Sequence, residues 1–199
     1  MYIVLEGIDG AGKSSQTELL DIWLKENDYK TKIIVEPTKS DIGQLIRKEL
    51  LNPESTNDIN QQKLTLLFAA DRLTLKQEIL DAKGSADLIL ISDRSFYSSI
   101  CYQNNSSIDP KWIYEVNLHT PRPDLTILLD LNEKEAINRC DREEVFESIS
   151  FLEKTRKNYL ALLDVEENIV VIDADKTIEE VQENIRKVVK EKLEMIRKD

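Results

Sequence analysis

The chain has 199 residues, of which 27 are Lys or Arg and 38 are Asp or Glu, so its formal net charge at pH 7 is −11. This length fits one domain with a core of its own. Surfaces that bind nucleic acid are basic, so the acidic balance argues against that function. No apolar run approaches the ~20 residues of a membrane span, so we expect no membrane association. Cys101 and Cys140 lack metal-type spacing, and we interpret them as free thiols of a cytoplasmic protein.

Short apolar runs alternate with longer amphipathic segments along the chain. The apolar runs are predicted strands at Tyr2–Leu5, Thr31–Val35, Leu88–Ile91, Leu125–Leu129 and Ile169–Ile172. Helical periodicity indicates a helix directly after the first strand. Helical periodicity or capping residues also indicate helices over about 42–51, 58–81, 96–102, 109–118, 132–142, 144–163 and from 177 onward. This alternation predicts a single α/β domain over 1–199, with a parallel sheet of about five strands and helices on both faces.

A phosphate-binding motif directly follows the first strand. Residues 7–14 match the pattern G-x-x-x-x-G-K-[ST], in which backbone N–H groups turn inward and the next helix points its positive end at the phosphates. Lys13, which we expect to be exposed, can reach the outer phosphates of a nucleoside triphosphate, and Ser14 can place its hydroxyl on Mg²⁺. The predicted ATP-binding residues are Gly7, Ile8, Asp9, Gly10, Ala11, Gly12, Lys13, Ser14 and Ser15.

Polar residues end the other predicted strands, at the edge where parallel sheets bind their ligands. Asp93 ends the most apolar strand, where proteins with this loop hold an Asp that supports Mg²⁺. Arg94 follows it, and the planar guanidinium suits a phosphate. We therefore predict that Lys13 and Arg94 are catalytic and that Ser14 and Asp93 form the metal site.

Four motifs together resemble the thymidylate kinase family in their order and spacing across nearly the whole chain. They are Glu6 to Gln16, Leu67 to Arg72, Asp93 to Gln103, and Pro123 to Thr126. The resemblance implies a P-loop nucleoside monophosphate kinase that transfers the γ-phosphoryl group of ATP to dTMP, giving dTDP and ADP, with Mg²⁺ as cofactor.

The resemblance also implies which residues bind the sugar and phosphate of dTMP. Asp9 and Glu36 would lie near the sugar 3′-hydroxyl, while Arg47 and Arg94 would hold the 5′-phosphate. Val35 stands where many bacterial members of the family carry an arginine, so phosphate binding would depend more on the two arginines named here.

Further residues are implied for the thymine base. Phe68 would stack on it, and Arg72, one helical turn later, would hydrogen-bond its edge. Ser99 and Gln103 would face the base, and Tyr102 would pack where a 2′-hydroxyl would clash. The alternative for Phe68 and Tyr102 is that they are core aromatics.

The lid, at about 139–145, is shorter than the Arg-rich lid usual in the family. Some members carry the catalytic arginine in the phosphate loop, but Gly10 occupies that position here. A lid arginine must then supply the charge, and the candidates are Arg139 and Arg142, of which we favour Arg142. The alternative is that both arginines form surface ion pairs.

The implied acceptor needs no general base, because the second pKa of a phosphate monoester is near ~6. The single histidine, His119, is interpreted as structural. One alternative is a deoxynucleoside kinase, in which Glu36 would be the base that a hydroxyl acceptor needs. Another is a protein that binds nucleotides without turnover. A guanine-specific switch is disfavoured, because its Asn/Thr-Lys-x-Asp motif does not occur.

The predicted helix over 58–81 carries more apolar residues than one buried stripe needs. They are Leu64, Leu66, Leu67, Leu73, Leu75 and Ile79. Surplus apolar surface usually meets a partner, and the resembled family forms twofold dimers through such helices. We therefore expect a homodimer.

Overall fold

Five parallel strands form one sheet in the order β2-β3-β1-β4-β5. The computed structural model describes residues 1–105, 107–139 and 149–196. The strands are β1 (Tyr2–Glu6), β2 (Lys30–Val35), β3 (Leu88–Asp93), β4 (Leu125–Asp130) and β5 (Ile169–Asp173). The predicted parallel sheet is confirmed, and each strand lies within one or two residues of its expected bounds.

β1 lies at the centre of the sheet, where Ile3 pairs with Ile91 of β3 on one side and Leu125 of β4 on the other. All five of its residues are buried. Because successive side chains of a strand point to opposite faces, Ile3 joins a large core cluster and Val4 a smaller one. Two apolar layers therefore fix the strand that leads into the phosphate-binding loop.

Nine helices flank the sheet within the described ranges. They are α1 (Lys13–Glu26), α2 (Asp41–Leu50), α3 (Asp58–Leu73), α4 (Lys76–Lys83), α5 (Phe96–Tyr102), α6 (Pro110–Val116), α7 (Glu133–Arg139), α8 (Ile149–Ala161) and α9 (Ile178–Ile196), and a short 3₁₀ helix, Leu162–Asp164, follows α8. None of these helices has the length and apolar character that crossing a membrane requires.

The single helix predicted over 58–81 is wrong, because the chain forms α3 and α4 with a tight turn between them. The Thr74 N–H donates to the Asp71 carbonyl and the Leu75 N–H to the Arg72 carbonyl, at 3.1 and 2.9 Å. The Thr74 hydroxyl also donates to the Asp71 carbonyl at 2.6 Å. These bonds span three residues and so tighten the turn and end α3.

Two predicted helix starts differ in their capping. Before α9, the Glu180 N–H donates to the Thr177 hydroxyl at 3.2 Å, and the Thr177 N–H donates to the Glu180 carboxylate at 3.0 Å. This is a reciprocal capping box. Before α7, Asn132 accepts from the Lys134 N–H at 2.9 Å, but Glu135 accepts from Arg139 instead. The second start is therefore capped on one side only.

Candidate active site

The phosphate-binding loop joins β1 to α1, and it holds Lys13 in an unexpected place. The lysine is buried, so the expected exposure is wrong. Its Nζ donates to the carbonyl oxygens of Gly7 and Ile8 at 3.0 and 2.8 Å, and it lies 4.0 Å from the Asp9 carboxylate. Burial, with the nearby positive charge of Arg94, lowers the pKa of Lys13 to about 8.

Gly10 is enclosed by α7. Its φ of +81° is left-handed, and a Cβ built there would lie 2.3 Å from the Ala136 carbonyl oxygen. No side chain fits at that distance, so the loop carries no arginine at this position for a steric reason. Any arginine that reached phosphates on this loop would therefore come from outside position 10.

Ser14 and Asp93, the two residues predicted to hold a metal, are in contact. The Ser14 hydroxyl donates to Asp93 Oδ2 at 2.6 Å, because the end of β3 lies beside the end of β1. Hydroxyl and carboxylate oxygens are the hard ligands that Mg²⁺ prefers. No cluster of three or more acidic, His or Cys side chains that could hold a metal occurs among the described residues. Two protein ligands suit Mg²⁺, which keeps waters and phosphate oxygens around it.

Two cavities meet at Asp9 and Arg94, which line both of them. The larger, about 690 Å³, follows the phosphate-binding loop and reaches Arg139 and residues 174–178. The smaller, about 150 Å³, is lined mostly by residues predicted to bind the acceptor, namely Asp9, Phe68, Arg94, Ser99, Tyr102 and Gln103, together with Pro37, Leu50 and Ser98. Most of the predicted ATP-binding residues thus line the larger cavity, and most of the predicted acceptor-binding residues line the smaller one.

Arg94 forms the boundary between the cavities. Its backbone φ is +77°, a left-handed conformation that costs a non-glycine residue roughly 1–2 kcal/mol. The guanidinium forms an ion pair with Asp9 and donates to the Ser98 hydroxyl at 3.0 Å and to the Tyr102 hydroxyl at 3.3 Å. Although burial opposes it, Arg94 together with Lys13 holds the pKa of Asp9 below its usual value.

The aromatic residues of the smaller cavity are half-buried, and each has one side on the cavity. The Tyr102 hydroxyl donates to Asp9 Oδ2 at 2.9 Å, and its ring lies 4.9 Å from the Arg94 guanidinium carbon. Tyr102 also packs on the large core cluster. Phe68 lies 5.5 Å from the guanidinium carbon of Arg72. Core packing and cavity lining are therefore combined in Tyr102.

Arg72 lies behind the cavity wall. It is only 1% exposed, and its Nε donates to Glu36 at 2.5 Å. The other nitrogens donate to the Asn117 amide oxygen at 3.1 Å, the Ser99 hydroxyl at 2.9 Å and the Ser95 carbonyl at 3.1 Å. Burial raises the pKa of Glu36 to about 7, and the Arg72 guanidinium opposes that rise. Glu36 itself faces the larger cavity.

Of the remaining predicted arginines, Arg47 lines neither cavity. Arg47 donates to the carbonyl oxygens of Pro37 and Thr38, and so braces the chain segment that lines the smaller cavity. Arg139 lines the larger cavity, where it donates to Glu135 at 3.0 Å and to the Ala174 carbonyl at 3.1 Å. Arg142, Cys140 and the rest of the predicted lid after Arg139 lie outside the described residues.

Three buried polar residues support the site, and the sequence analysis assigns them no role. Asp71 accepts from the Thr38 N–H and hydroxyl at 2.7 and 2.6 Å. Asn117 orients Arg72, and Glu6 contacts α5 and α8. The available signal for Glu6 was a charged residue ending an apolar strand. For Asp71 it was an acidic residue directly before an arginine.

Comparisons with known proteins agree with one another. A family model described as thymidylate kinase matches residues 5–185. A probable thymidylate kinase of Methanosphaera stadtmanae is 63% identical over 186 residues, 94% of this chain and 95% of the relative. One of Methanobrevibacter smithii is 44% identical, over 95% and 94% of the two chains. The solved thymidylate kinase of Candida albicans superposes with a TM-score of 0.78 at 27% identity, covering 95% of this chain and 90% of that one.

Proposed function

This chain belongs to the thymidylate kinase family, and we propose from its two cavities how it transfers the γ-phosphoryl group of ATP to dTMP, giving dTDP and ADP. The observation that carries the proposal is the shared boundary at Asp9 and Arg94. A phosphate-binding loop lies on one side of it, and an aromatic cavity lies on the other. The two phosphates would therefore meet there, as in-line transfer requires.

ATP would occupy the larger cavity, with its phosphates on the loop from Gly7 to Ser15. Lys13 would leave the carbonyls of the loop and pair with the outer phosphates. Ser14 and Asp93 would hold Mg²⁺, which when bound neutralises charge on the phosphates. The short bond between these two residues supports the assignment.

dTMP would occupy the smaller cavity. Arg94 would hold the 5′-phosphate, Arg47 would support the phosphate side, and Asp9 and Glu36 would lie toward the sugar. Phe68 would stack on the base, with Ser99, Gln103 and Tyr102 around it. Because Arg72 is 1% exposed and four of its five N–H groups already donate to protein atoms, contact with the base edge would go through Ser99 or require Arg72 to move.

No proton has to be removed from a phosphate acceptor at neutral pH. Catalysis then consists of positioning and of charge neutralisation by Lys13 and the arginines. A hydroxyl acceptor would instead need a free general base. Glu36, the candidate base, is bound to Arg72 at 2.5 Å, so the geometry disfavours a deoxynucleoside kinase.

ADP release measured with Mg·ATP and one acceptor at a time tests this assignment. We expect turnover with dTMP and only background release with thymidine, which lacks the accepting phosphate. Adenosine and cytidine monophosphates serve as base controls. Equal release with thymidine and dTMP would contradict the proposal, and so would release that is independent of any acceptor.

A lid arginine would neutralise the charge that builds up on the transferred phosphoryl group. We favour Arg142, because Arg139 already donates to Glu135 and to the Ala174 carbonyl. Arg142→Ala should lower kcat on the order of 10³-fold, whereas loss of a surface ion pair would change it within about threefold. Wild-type kcat in both single variants and in the double variant would contradict the lid assignment.

We also propose that the enzyme is a homodimer and works in the cytoplasm. Ile59, Leu66 and Leu73, spaced seven residues apart on α3, are 77, 51 and 44% exposed. We call these three residues the α3 stripe. By contrast, Leu64 and Ile79 of the expected surplus are buried. An exposed apolar stripe of this kind suits packing against a second copy.

A further inference from the structure

Glu6 is a buried carboxylate at the end of β1, directly before the phosphate-binding loop, and it is 1% exposed. Its Oε1 accepts from the Ser95 N–H at 2.8 Å and from the Ser95 hydroxyl at 2.7 Å. Its Oε2 accepts from the Ser98 hydroxyl at 2.7 Å and from the Tyr159 hydroxyl at 2.8 Å. No cationic side chain forms an ion pair with it in the part of the chain that the structure describes.

Such a group is costly to keep. Removing a carboxylate from water without an ionic partner costs several kcal/mol, which hydrogen bonds only partly return. An apolar residue at this position would continue the core around β1. We therefore expect the Glu6 carboxylate to have a functional role, and the contacts of its four hydrogen-bond donors indicate that role.

Ser98 connects Glu6 to Arg94 through one hydroxyl. The Ser98 hydroxyl donates to Glu6 and accepts from Arg94 Nη1 at 3.0 Å. A hydroxyl has a single proton. Because the Ser98 hydroxyl points that proton at Glu6, one of its lone pairs faces Arg94.

Ser95 connects Glu6 to the backbone of Arg94. Two hydrogen bonds of its backbone hold Arg94 in the left-handed conformation. The Arg94 N–H donates to the Leu5 carbonyl at 3.0 Å, and the Arg94 carbonyl accepts from the Ser92 hydroxyl at 2.6 Å. The next residue, Ser95, is fixed by two bonds to Glu6. The carboxylate thus fixes both the strained turn and the direction of the side chain.

We infer that Glu6 is a positioning residue that, through Ser95 and Ser98, aims the Arg94 guanidinium at the phosphate of the acceptor nucleotide. The inference rests on the proposed role of Arg94. Tyr159 extends the arrangement to α8, since its hydroxyl lies 2.8 Å from Glu6 and 2.9 Å from Ser98. The helix that follows residues 140–148 is therefore joined to the acceptor side of the site.

The test compares dTMP with thymidine, which differ only in the phosphate that Arg94 would hold. The variant is Glu6→Gln, whose amide would donate to Ser98 and compete with Arg94 for the lone pairs of the hydroxyl. Dissociation constants for both ligands are measured by calorimetry. We expect dTMP affinity to fall on the order of tenfold, as coupled contacts allow, with thymidine affinity and the KM for ATP nearly unchanged.

A double-mutant cycle shows whether the effect passes through Arg94. In an Arg94→Ala background, Glu6→Gln should cause no further loss of dTMP affinity. Additive losses would overturn the inference, and so would equal losses for dTMP and thymidine. If the wild-type protein binds no dTMP, the proposed function fails instead, so the two failures are distinguishable.

Glu166→Gln is the matched control. That carboxylate accepts two tyrosine hydroxyls, from Tyr97 and Tyr114, each at 2.9 Å, and lines neither cavity. Glu166→Gln should lower the unfolding temperature without changing the ratio of dTMP affinity to thymidine affinity. If Glu6→Gln does not fold, Tyr159→Phe removes one donor from the same carboxylate, with Tyr97→Phe as its control. An unchanged affinity ratio in Tyr159→Phe would then overturn the inference.

Discussion

Lys13 shows at the residue scale how the phosphate-binding loop makes binding depend on pH. Its pKa of about 8 lies below the ordinary 10.5 because the ammonium is buried. Between those two values the unfolded chain binds a proton that the folded chain has lost, so this group makes folding more favourable as pH rises through that window. Below about pH 8 both states are protonated and its contribution is constant.

We predict proton uptake when nucleotide binds near pH 8. Phosphates bring negative charge to Lys13 and raise its pKa again, so about half a proton per site should be taken up at that pH, and little at pH 6.5. Calorimetry with a non-hydrolysable ATP analogue, in buffers of different ionisation enthalpy, measures this number. Lys13→Met should remove the uptake. Equal uptake in that variant and the wild-type protein would contradict the prediction.

Arg72 shows what the spacing of residues along the sequence cannot predict. Phe68 and Arg72 are one turn apart on α3, and the sequence correctly predicts that they share a face. What the spacing does not contain is Glu36, which arrives from the end of β2 and binds Arg72 in the interior. The same holds for Glu6, whose four donors come from α5, its capping residue and α8. Motifs of short range predict which residues gather, whereas tertiary hydrogen bonds decide which of them face the cavity.

At the scale of elements, α7 limits which residue the phosphate-binding loop can have at position 10. Gly10 and Gly12 both have left-handed φ values, +81° and +87°, yet a Cβ on Gly12 would meet nothing within 4 Å. A side chain at Gly12 would therefore carry only the cost of the left-handed backbone, whereas one at Gly10 would also clash with α7. This makes them a matched pair.

We predict that Gly12→Ala lowers the free energy of unfolding by about 1–2 kcal/mol, the cost of a left-handed alanine. Gly10→Ala should lower it by several kcal/mol, because α7 must also move away from the loop. Urea unfolding without nucleotide gives both values. Equal losses would mean that α7 does not press on the loop.

The turn between α3 and α4 explains one error of the sequence analysis. The apolar pattern continues through it, and neither Gly nor Pro interrupts the segment. The helix ends where the Thr74 and Leu75 N–H groups donate to carbonyls three residues back and the Thr74 hydroxyl donates to the Asp71 carbonyl. By contrast, the strands were predicted to within two residues. The three inner strands, β1, β3 and β4, are buried on both faces and therefore appear as short apolar runs.

Assembly is the question at the scale of the whole molecule. The α3 stripe gives the reason to expect a dimer of about twice the 23.0 kDa chain mass. Light scattering at micromolar concentration should give that value, and Leu66→Glu in the middle of the stripe should give the monomer mass. Leu118→Glu is the control, because Leu118 is 74% exposed, in the turn that follows α6, and lies outside the stripe. A monomeric wild-type protein would contradict the prediction.

The central position of β1 has a consequence for how the protein is made. The strand is synthesised before both of its neighbours, and its second neighbour begins only at Leu125. At about 5–20 residues per second, the ribosome takes roughly 6–25 s to cover that interval. Until β3 begins at Leu88, β1 has neither of its neighbouring strands, and until Leu125 it has only one of them. The nucleotide site is therefore completed late in synthesis, because β4, α7 and residues 174–178 all follow Leu125 or begin with it.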